Sequence, residues 1–418
     1  MIRTHIFPCS LARTAADALN RESGRIYTAV MVRHYRVYRK KGQWLSPGAG
    51  ERIEDSTGPT LLHAHSRDAA QQGFYKACKT ARTLRKQGDL DVRYPYRRKR
   101  WRTTIWKKTG IRCKAGVLRL ARCRGHAPVH VELPAHLAAL PTRCFVEMRL
   151  VWDRVARHYT WHLVVDDGIT PVPSAATGVA GVDLGEIHPA ALANSTNATI
   201  IACRELRSSV QYTNKRLSVL RSKQDGHRPG SRRWRRLQRR KTRFLAWQKR
   251  RARDLAHKAS RAVVDWAQER AVGTLVIGNV RDVADGKRLR RSEQQKISQW
   301  DHGTMRRYIG YKAEAAGITV VDTVNEAYTS QTCPRCGHRS KPKGRIFVCH
   351  VCGFRCARDT VGAANILSRH LYGEVGRVLP PAHTTYRHPA WQGKRSRLDT
   401  ADLARTGGVA TSREAQAL

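Results

Sequence analysis

The stretch from Asn325 to Ile366, NEAYTSQTCPRCGHRSKPKGRIFVCHVCGFRCARDTVGAANI, governs how the rest of the chain is read. It holds two CxxC pairs, Cys333 with Cys336 and Cys349 with Cys352, twelve residues apart. Gly337 and Gly353 follow the pairs and permit the tight knuckles of a zinc ribbon. Four thiolates hold Zn²⁺ tetrahedrally at about 2.3 Å and leave no open position, so these cysteines are expected to bind a structural ion. Cys356, His338 and His350 are spare donors and are not expected to ligate. Lys341, Lys343 and Arg345 are expected to touch phosphate. Behind the ribbon, RDTVGAANI predicts a helix from about Thr360 to His370, whose small residues Gly362, Ala363 and Ala364 permit close packing on a sheet. Asp359 is expected at its N-cap, a position an Asp can occupy for capping alone.

Outward toward the N-terminus, the pattern alternates between strand and helix, which argues for an α/β domain. A strand is expected over Ile318–Val324, a helix around Met305–Ala316 and a buried strand over Thr274–Val280. Before these, Phe244, Trp247, Leu255, Ala259, Ala262 and Trp266 keep a helical stripe, and GHRPGS marks the turn of a helical hairpin. The second arm, Ser231 to Arg253, carries twelve Lys or Arg and no acid, more than a solvated face requires. Arg232, Arg233, Arg235, Arg236, Arg239 and Arg240 are therefore expected to bind nucleic acid. Three short strands, Ala180–Asp183, Ala190–Ala193 and Ala198–Ala202, suggest a meander. Asp183 ends the first of them in GVDLGE, where Gly185 lets the chain turn closely past a ligand. Alone it is weak evidence; paired with Asp359 it frames a fold that can put both carboxylates on one Mg²⁺-binding edge. Carboxylates holding two hard cations about 3.5–4 Å apart serve phosphodiester hydrolysis.

DDGITPVPSAATG (166–178) reads as a linker, and the residues before it as mixed α and β. A strand is expected over Ile2–Phe7, and two helices carry Tyr27, Met31, Tyr35 and Tyr38, then Phe74, Ala77, Ala81 and Leu84. SPGAGERIEDSTGP between them is loop chemistry. Arg97 to Lys108, RRKRWRTTIWKK, interleaves basic residues with Trp101 and Trp106. It suits either phosphate contact with base stacking, through Arg98, Arg100 and Trp101, or a basic β-edge with buried indoles. Val146 to Val165 reads as a β-hairpin. After Leu371 the chain lacks an evident core.

The whole chain of 418 residues has 79 Lys plus Arg against 32 Asp plus Glu, a net charge of +47. That excludes an ordinary small-molecule enzyme and points to a long polyanion. At 41% apolar residues there is still enough to build a core, with room for several domains. Eleven unevenly spaced cysteines in so long a chain argue against a disulfide framework. No window approaches the ~18 apolar residues of a membrane span, and the start lacks the apolar run of a signal peptide. A cytoplasmic, nucleoid-associated protein is expected, with no membrane partner.

GVDLG, LAHKASRAVVDWA, TLVIGNVRDVADGK, NEAYTSQTCPRCGHR with VCHVCGF, and RDTVGAANI, in this order over about residues 175 to 385, resemble the transposon-encoded TnpB nucleases and their relatives, the miniature type V CRISPR effectors. The resemblance implies an α/β multidomain fold. Residues 1–172 would be wedge and recognition modules, a wedge-like β-barrel with a helical insert at about 10–95. Residues 173–327 and 358–385 would form an RNase H-like RuvC nuclease, 328–357 the zinc ribbon and 386–418 a flexible tail. It also implies a guide RNA, a double-stranded DNA target beside a short flanking motif, and a prokaryotic source. Whether one copy or two would share an RNA stays open.

One departure matters. In that family the strand matching TLVIGNV ends in a glutamate, the middle of an Asp, Glu, Asp set, whereas here Gly278 and Asn279 stand there. Glu326 is the preferred substitute, since the strand before it is expected beside TLVIGNV, about 4.8 Å away. Asp282 and Asp285 are second choices, and Glu326 as an ordinary solvated residue is the bland alternative. The expected metal set is Asp183, Glu326 and Asp359 with Mg²⁺. Two readings stay open, an RNA-guided DNA endonuclease and a cleavage-deficient RNA-guided DNA-binding protein that silences by occupancy. A transposase acting without guide RNA is disfavoured.

Overall fold

The computed structural model describes residues 2–55, 60–168, 170–280, 290–342 and 344–389. They fall into two units, Met1–Thr170 and Pro171–Leu418. Among the described residues no helix is long and apolar enough to cross a membrane.

The first unit runs β1 (Ile2–Pro8), α1 (Arg13–Lys41), α2 (Pro47–Asp55), α3 (Ala64–Lys86), β2 (Thr104–Lys107), β3 (Ile111–Lys114), β4 (Val117–Leu120), β5 (Val129–Glu132), α4 (Ala135–Ala138), β6 (Phe145–Asp153) and β7 (His158–Asp166). One antiparallel sheet has the order β1-β7-β6-β2 and a second the order β3-β4-β5. Both contribute to one core, which includes Leu118, Leu120, Phe145, Met148 and Trp161. Helices α1, α2 and α3 are inserted between β1 and β2. Buried Asn20 on α1 ties them to the sheet by donating to the Leu150 carbonyl at 3.1 Å and accepting from the Thr104 backbone N–H at 2.9 Å.

One expectation changes here, and at Trp106 the buried-indole alternative holds. The stretch read as a loop from Ser46 onward contains α2, because Pro47 suits a first helical position and the Ser46 hydroxyl accepts from the Ala49 N–H at 3.3 Å. Trp106 is not available for base stacking. It is 1% exposed, donates its indole N–H to the Ala121 carbonyl at 2.8 Å and packs edge-on against Trp161.

The second unit runs β8 (Gly178–Asp183), β9 (Ala190–Ala193), β10 (Ala198–Ile201), α5 (Arg204–Asp225), α6 (Arg232–Glu269), β11 (Val272–Asn279), α7 (Arg291–Gln299), α8 (His302–Ala315), β12 (Thr319–Asn325), β13 (Ile346–Val348), β14 (Arg355–Ala357), α9 (Arg358–Tyr372) and β15 (Thr385–Arg387). Its sheet has the order β12-β11-β8-β9-β10-β15. β9 is antiparallel to both neighbours, whereas β11 is parallel to β8 and to β12. The last residues of β8, β11 and β12 therefore share one edge. Helices α6 and α8 cover one face, through Val263, Trp266 and Ile309 among others, and α9 covers the other through Ala363, Ile366 and Leu367. Coverage on both sides explains why β9 and β10 are buried at every residue.

The chain after Leu371 departs from the coreless tail expected of it. Val378 is buried, and β15 pairs in parallel with β10, Tyr386 opposite Ile200 and Arg387 opposite Ile201. The expected domain end at 385 and the tail at 386 thus cut through a strand. Residues 390–418 lie outside the described residues. On α6 the expected stripe fails toward the N-terminus: Trp247 is 47% exposed, and the neighbouring Gln248 is buried instead, accepting from the Ser209 hydroxyl of α5 at 2.6 Å.

Candidate functional site

The shared strand edge gathers the acids. Asp183 ends β8, and its carboxylate lies directly over Gly362 of α9, where any side chain on residue 362 would overlap it. Gly181, two residues back, is in the same position toward the backbone of Ala363. The small residues of RDTVGAANI are thus explained by α9 resting on β8 with backbone against backbone, and Asp183 is enclosed at the seam. Gly185 has a different cause from the one expected of it. A Cβ there would come within 2.5 Å of the His188 carbonyl oxygen, so the loop itself requires glycine.

Glu326 follows β12, which pairs with β11 so that Gly278 faces Val324 and Asn279 faces Asn325. From there its side chain reaches across to the neighbouring strand. A Cβ placed on Gly278 would overlap the Glu326 carboxylate, its Cδ 2.5 Å away. The missing side chain of residue 278 is the space that Glu326 fills. Although part of the residue reaches solvent, Oε1 is fully buried and has no hydrogen-bond partner. Burial lifts this carboxyl to about 7. Asp183 is pushed well above the usual carboxylate range, first by burial and then by Glu326 and Asp359. Asp183, Glu326 and Asp359 thus act on one another at this edge, while among the described residues the ribbon cysteines are the one group of three or more potential ligands whose atoms converge closely enough for a metal ion. Asp282 and Asp285 lie outside the described residues.

Asp359 is not the N-cap of its helix. Ala357 occupies that position, and Asp359 sits in the first turn, where Arg345 approaches Oδ2 at 3.6 Å and Arg358 approaches Oδ1 at 3.7 Å. Arg345, expected to be a phosphate ligand, is therefore paired with an acid here. Lys341 is exposed, and Lys343 lies outside the described residues. The sequence reading did not single out His188, which is 3% exposed with Nδ1 unpartnered and is pushed down to about 4 by burial and then by Arg345. A histidine five residues after Asp183 was the available signal. It also passed over Asn365 in RDTVGAANI. This buried amide donates to the carbonyls of Thr329 and Thr332 at 2.7 and 2.8 Å and accepts from the Gly376 N–H at 2.9 Å. It pins the segment that carries Glu326.

The four ribbon cysteines converge. Their sulfurs lie within 4.8 Å of one another, Cys333 to Cys352 at 3.6 Å and Cys336 to Cys349 at 3.5 Å. A tetrahedron of sulfurs about 2.3 Å from zinc has edges of about 3.8 Å, so the cluster fits a structural zinc ion. Gly337 and Gly353 both take φ of 70°, and their N–H groups donate to the carbonyls of Cys333 and Cys349 at 3.0 Å, giving two matching knuckles. Cys356 stays outside the cluster, as expected.

Arg232, Arg233, Arg235, Arg236, Arg239 and Arg240 are all exposed on α6, which Ser231 caps by accepting from the Trp234 N–H at 3.2 Å. Lys241 turns inward instead and donates to Gln224 of α5 at 2.9 Å. In the first unit Arg98, Arg100 and Trp101 are exposed, with the Arg21 guanidinium 4.4 Å from the Trp101 ring centre.

Comparison with known proteins agrees with this arrangement. The family described as "Probable transposase" matches residues 162–284, and that described as "Cas12f1-like, TNB domain" matches residues 302–366. The chain is 28% identical to a TnpB-like protein of Methanocaldococcus jannaschii over 137 residues, 32% of this chain and 48% of that one. It is 31% identical to the putative RNA-guided DNA endonuclease InsQ of Escherichia coli over 211 residues, 48% of this chain and 50% of that one. The chain thus spans about half the length of these curated relatives. Among solved structures, a Cas12f1 bound to sgRNA and target DNA shares the fold at a TM-score of 0.57 and 13% identity, covering 85% of this chain and 83% of that one. The enclosed acids at the strand edge, the four-cysteine cluster behind them and these matches agree: the chain belongs to the TnpB family and its miniature type V effector relatives.

Proposed function

We propose that the protein is an RNA-guided DNA endonuclease with a rearranged carboxylate set. The observation that carries this reading is the Glu326 carboxylate, lodged over Gly278 with a buried, unpartnered oxygen and acting on Asp183. Asp183, Glu326 and Asp359 would hold Mg²⁺, and Cys333, Cys336, Cys349 and Cys352 would hold Zn²⁺. The strand order supports an RNase H-like, RuvC-type nuclease in residues 173–327 and 358–387. The first unit would supply a wedge-like barrel with a helical recognition insert. A guide RNA and a double-stranded DNA target are the partners that the relatives' names and the solved complex suggest. The site of action would be the nucleoid.

When bound, a pair of divalent cations polarises the scissile phosphate and acidifies the attacking water. The chain's own residues prepare that site. Asp183 is fixed between β8 and α9 and cannot withdraw into solvent. Glu326, whose carboxyl burial lifts to about 7, is partly protonated near neutral pH and would hold the cation in its ionised form. Arg345 and Arg358, now on Asp359, would turn to phosphate oxygens as the acid engages the cation.

Asp183→Asn, Glu326→Gln and Asp359→Asn should each reduce cutting by orders of magnitude while guided DNA binding persists. If the parent binds its target but never cuts with Mg²⁺ or Mn²⁺, the protein acts by occupancy instead. If Glu326→Gln cuts as fast as the parent and Asp282→Asn or Asp285→Asn does not, the middle ligand is misassigned.

A further inference from the structure

A cavity of about 540 Å³ opens on the α6/α8 face of the sheet, and the nuclease reading gives it no task. Its wall includes Leu184, next in the chain to Asp183, whose own side chain turns to the opposite face against α9. Buried Leu184 and Met305, with Ala256 and half-buried Trp300, make an apolar floor between α5, α6, α7 and α8. The rim is cationic, with Arg207, Lys249, Arg253, Lys296 and Arg307. Of the two acids on the wall, Glu186 is paired with Arg207 at 3.2 Å and Asp301 is engaged in capping α8, accepting from Thr304 at 3.3 Å. Lys249 and Lys296 have no ion-pair partner among the described residues.

An apolar floor with an aromatic face under a ring of cations is complementary to one ring system carried between phosphates. The volume lies within the range of about 300–1,000 Å³ that takes a small ligand, which admits a nucleoside unit and excludes a duplex. Trp300, half-buried and tilted against His302 at 5.0 Å, is the indole on this wall, and the Tyr308 ring is already stacked on His257 at 4.0 Å. We propose that this cavity receives one unstacked nucleobase of the single DNA strand led to the carboxylates, with its flanking phosphates on the rim. The choice of that strand rests on the nuclease reading; the binding chemistry does not.

The test uses the full chain without added Mg²⁺ or Mn²⁺ and short single-stranded DNA in which 2-aminopurine replaces one base at a time. One position should differ from all others in emission, because only that base enters the cavity. Ala252→Trp, on the α6 wall, should fill the space, weaken binding about tenfold and abolish the distinct position. Trp300→Ala should abolish it as well and leave the salt dependence unchanged. The pair Lys249→Gln and Lys296→Gln should keep the distinct position while lowering the salt slope by about 1.4, at about 0.7 for each phosphate. Unchanged zinc content and circular dichroism show that the variants fold.

An Ala252→Trp variant that retains the distinct position overturns the proposal, as does a parent that shows none. Tighter binding and the same signal from an RNA of equal sequence would assign the cavity to RNA and overturn the choice of DNA. A parent with the distinct position that never cuts guided DNA would sink the nuclease reading and leave the cavity's ligand standing.

Discussion

Replacing Glu326 by Gln keeps the shape of the side chain over Gly278 and removes its charge. Burial lifts this carboxyl from 4.5 to about 7, and at about 1.4 kcal/mol for each pH unit the cation-free fold carries up to about 3 kcal/mol of instability at neutral pH. Below pH 4.5 the group is protonated folded and unfolded, and contributes nothing. Between 4.5 and about 7 the unfolded chain loses its proton first, so stability falls as pH rises; above that the deficit is constant. Glu326→Gln should therefore match the parent near pH 4 without added Mg²⁺ or Mn²⁺ and exceed it by up to about 3 kcal/mol near pH 8. Relief of Asp183, whose carboxyl Glu326 also pushes upward, acts in the same direction. Urea unfolding followed by circular dichroism across this pH range measures the gap. Added Mn²⁺ should stabilise the parent at pH 8 and leave the variant nearly unmoved. Parallel parent and variant curves from pH 4 to 8 would refute the enclosed, unpartnered carboxylate on which the site rests.

The other elements give separate tests. Cys333→Ser or Cys349→Ser should lose stoichiometric zinc and guided cutting together, because a ribbon this small cannot order itself by apolar burial; full zinc content by metal analysis would contradict the four-thiolate site. Changing Arg232, Arg233, Arg235, Arg236, Arg239 and Arg240 to Gln should flatten the salt dependence of duplex binding by up to about 5, at about 0.9 for each phosphate no longer neutralised, and an unchanged slope would make this face of α6 a bystander. Asn365→Ala should cost about 2–4 kcal/mol and reduce cutting, since it strands the carbonyls of Thr329 and Thr332 and frees the segment behind Glu326; normal stability in thermal unfolding would remove that role.

What was legible in the sequence was local. Cysteine spacing with glycine knuckles specified the ribbon, and apolar runs bounded by turn residues specified β8, β9, β10, β11 and β12 to within a residue or two. The misreadings came where tertiary context overrides local chemistry. The stretch from Ser46 to Pro59 looks like a loop by composition, yet a serine cap and a proline suffice to start α2, with Gly50 set against the Tyr75 ring. Trp106 looks like a stacking platform amid basic residues, but the strand alternation turns it inward while Trp101 stays out. β15 is three residues long and acquires its strand character only by adding to β10. Asp359 was expected to cap a helix because acids at such positions often do, and no local signal revealed that arginines from the ribbon and the first turn would bracket it.

The contact between residues 278 and 326 bears directly on the proposed carboxylate set. β11 and β12 run in parallel with Asn279 opposite Asn325, so residue 326 stands one step past the strand end beside the place where a side chain from 278 would project. A longer residue at 278 would exclude the Glu326 carboxylate, and a shorter one at 326 would leave Gly278 facing a void. The two positions are sterically complementary. A chain that had merely lost its middle acid has no physical reason to drive another acid out of solvent into the vacated space, against Asp183 and without a hydrogen-bond partner, since each of those features costs folding free energy. Under the proposed reading the same burial has a use, because the charge density that destabilises the empty fold is what would bind a cation, and Gly278 is the residue that makes room for it.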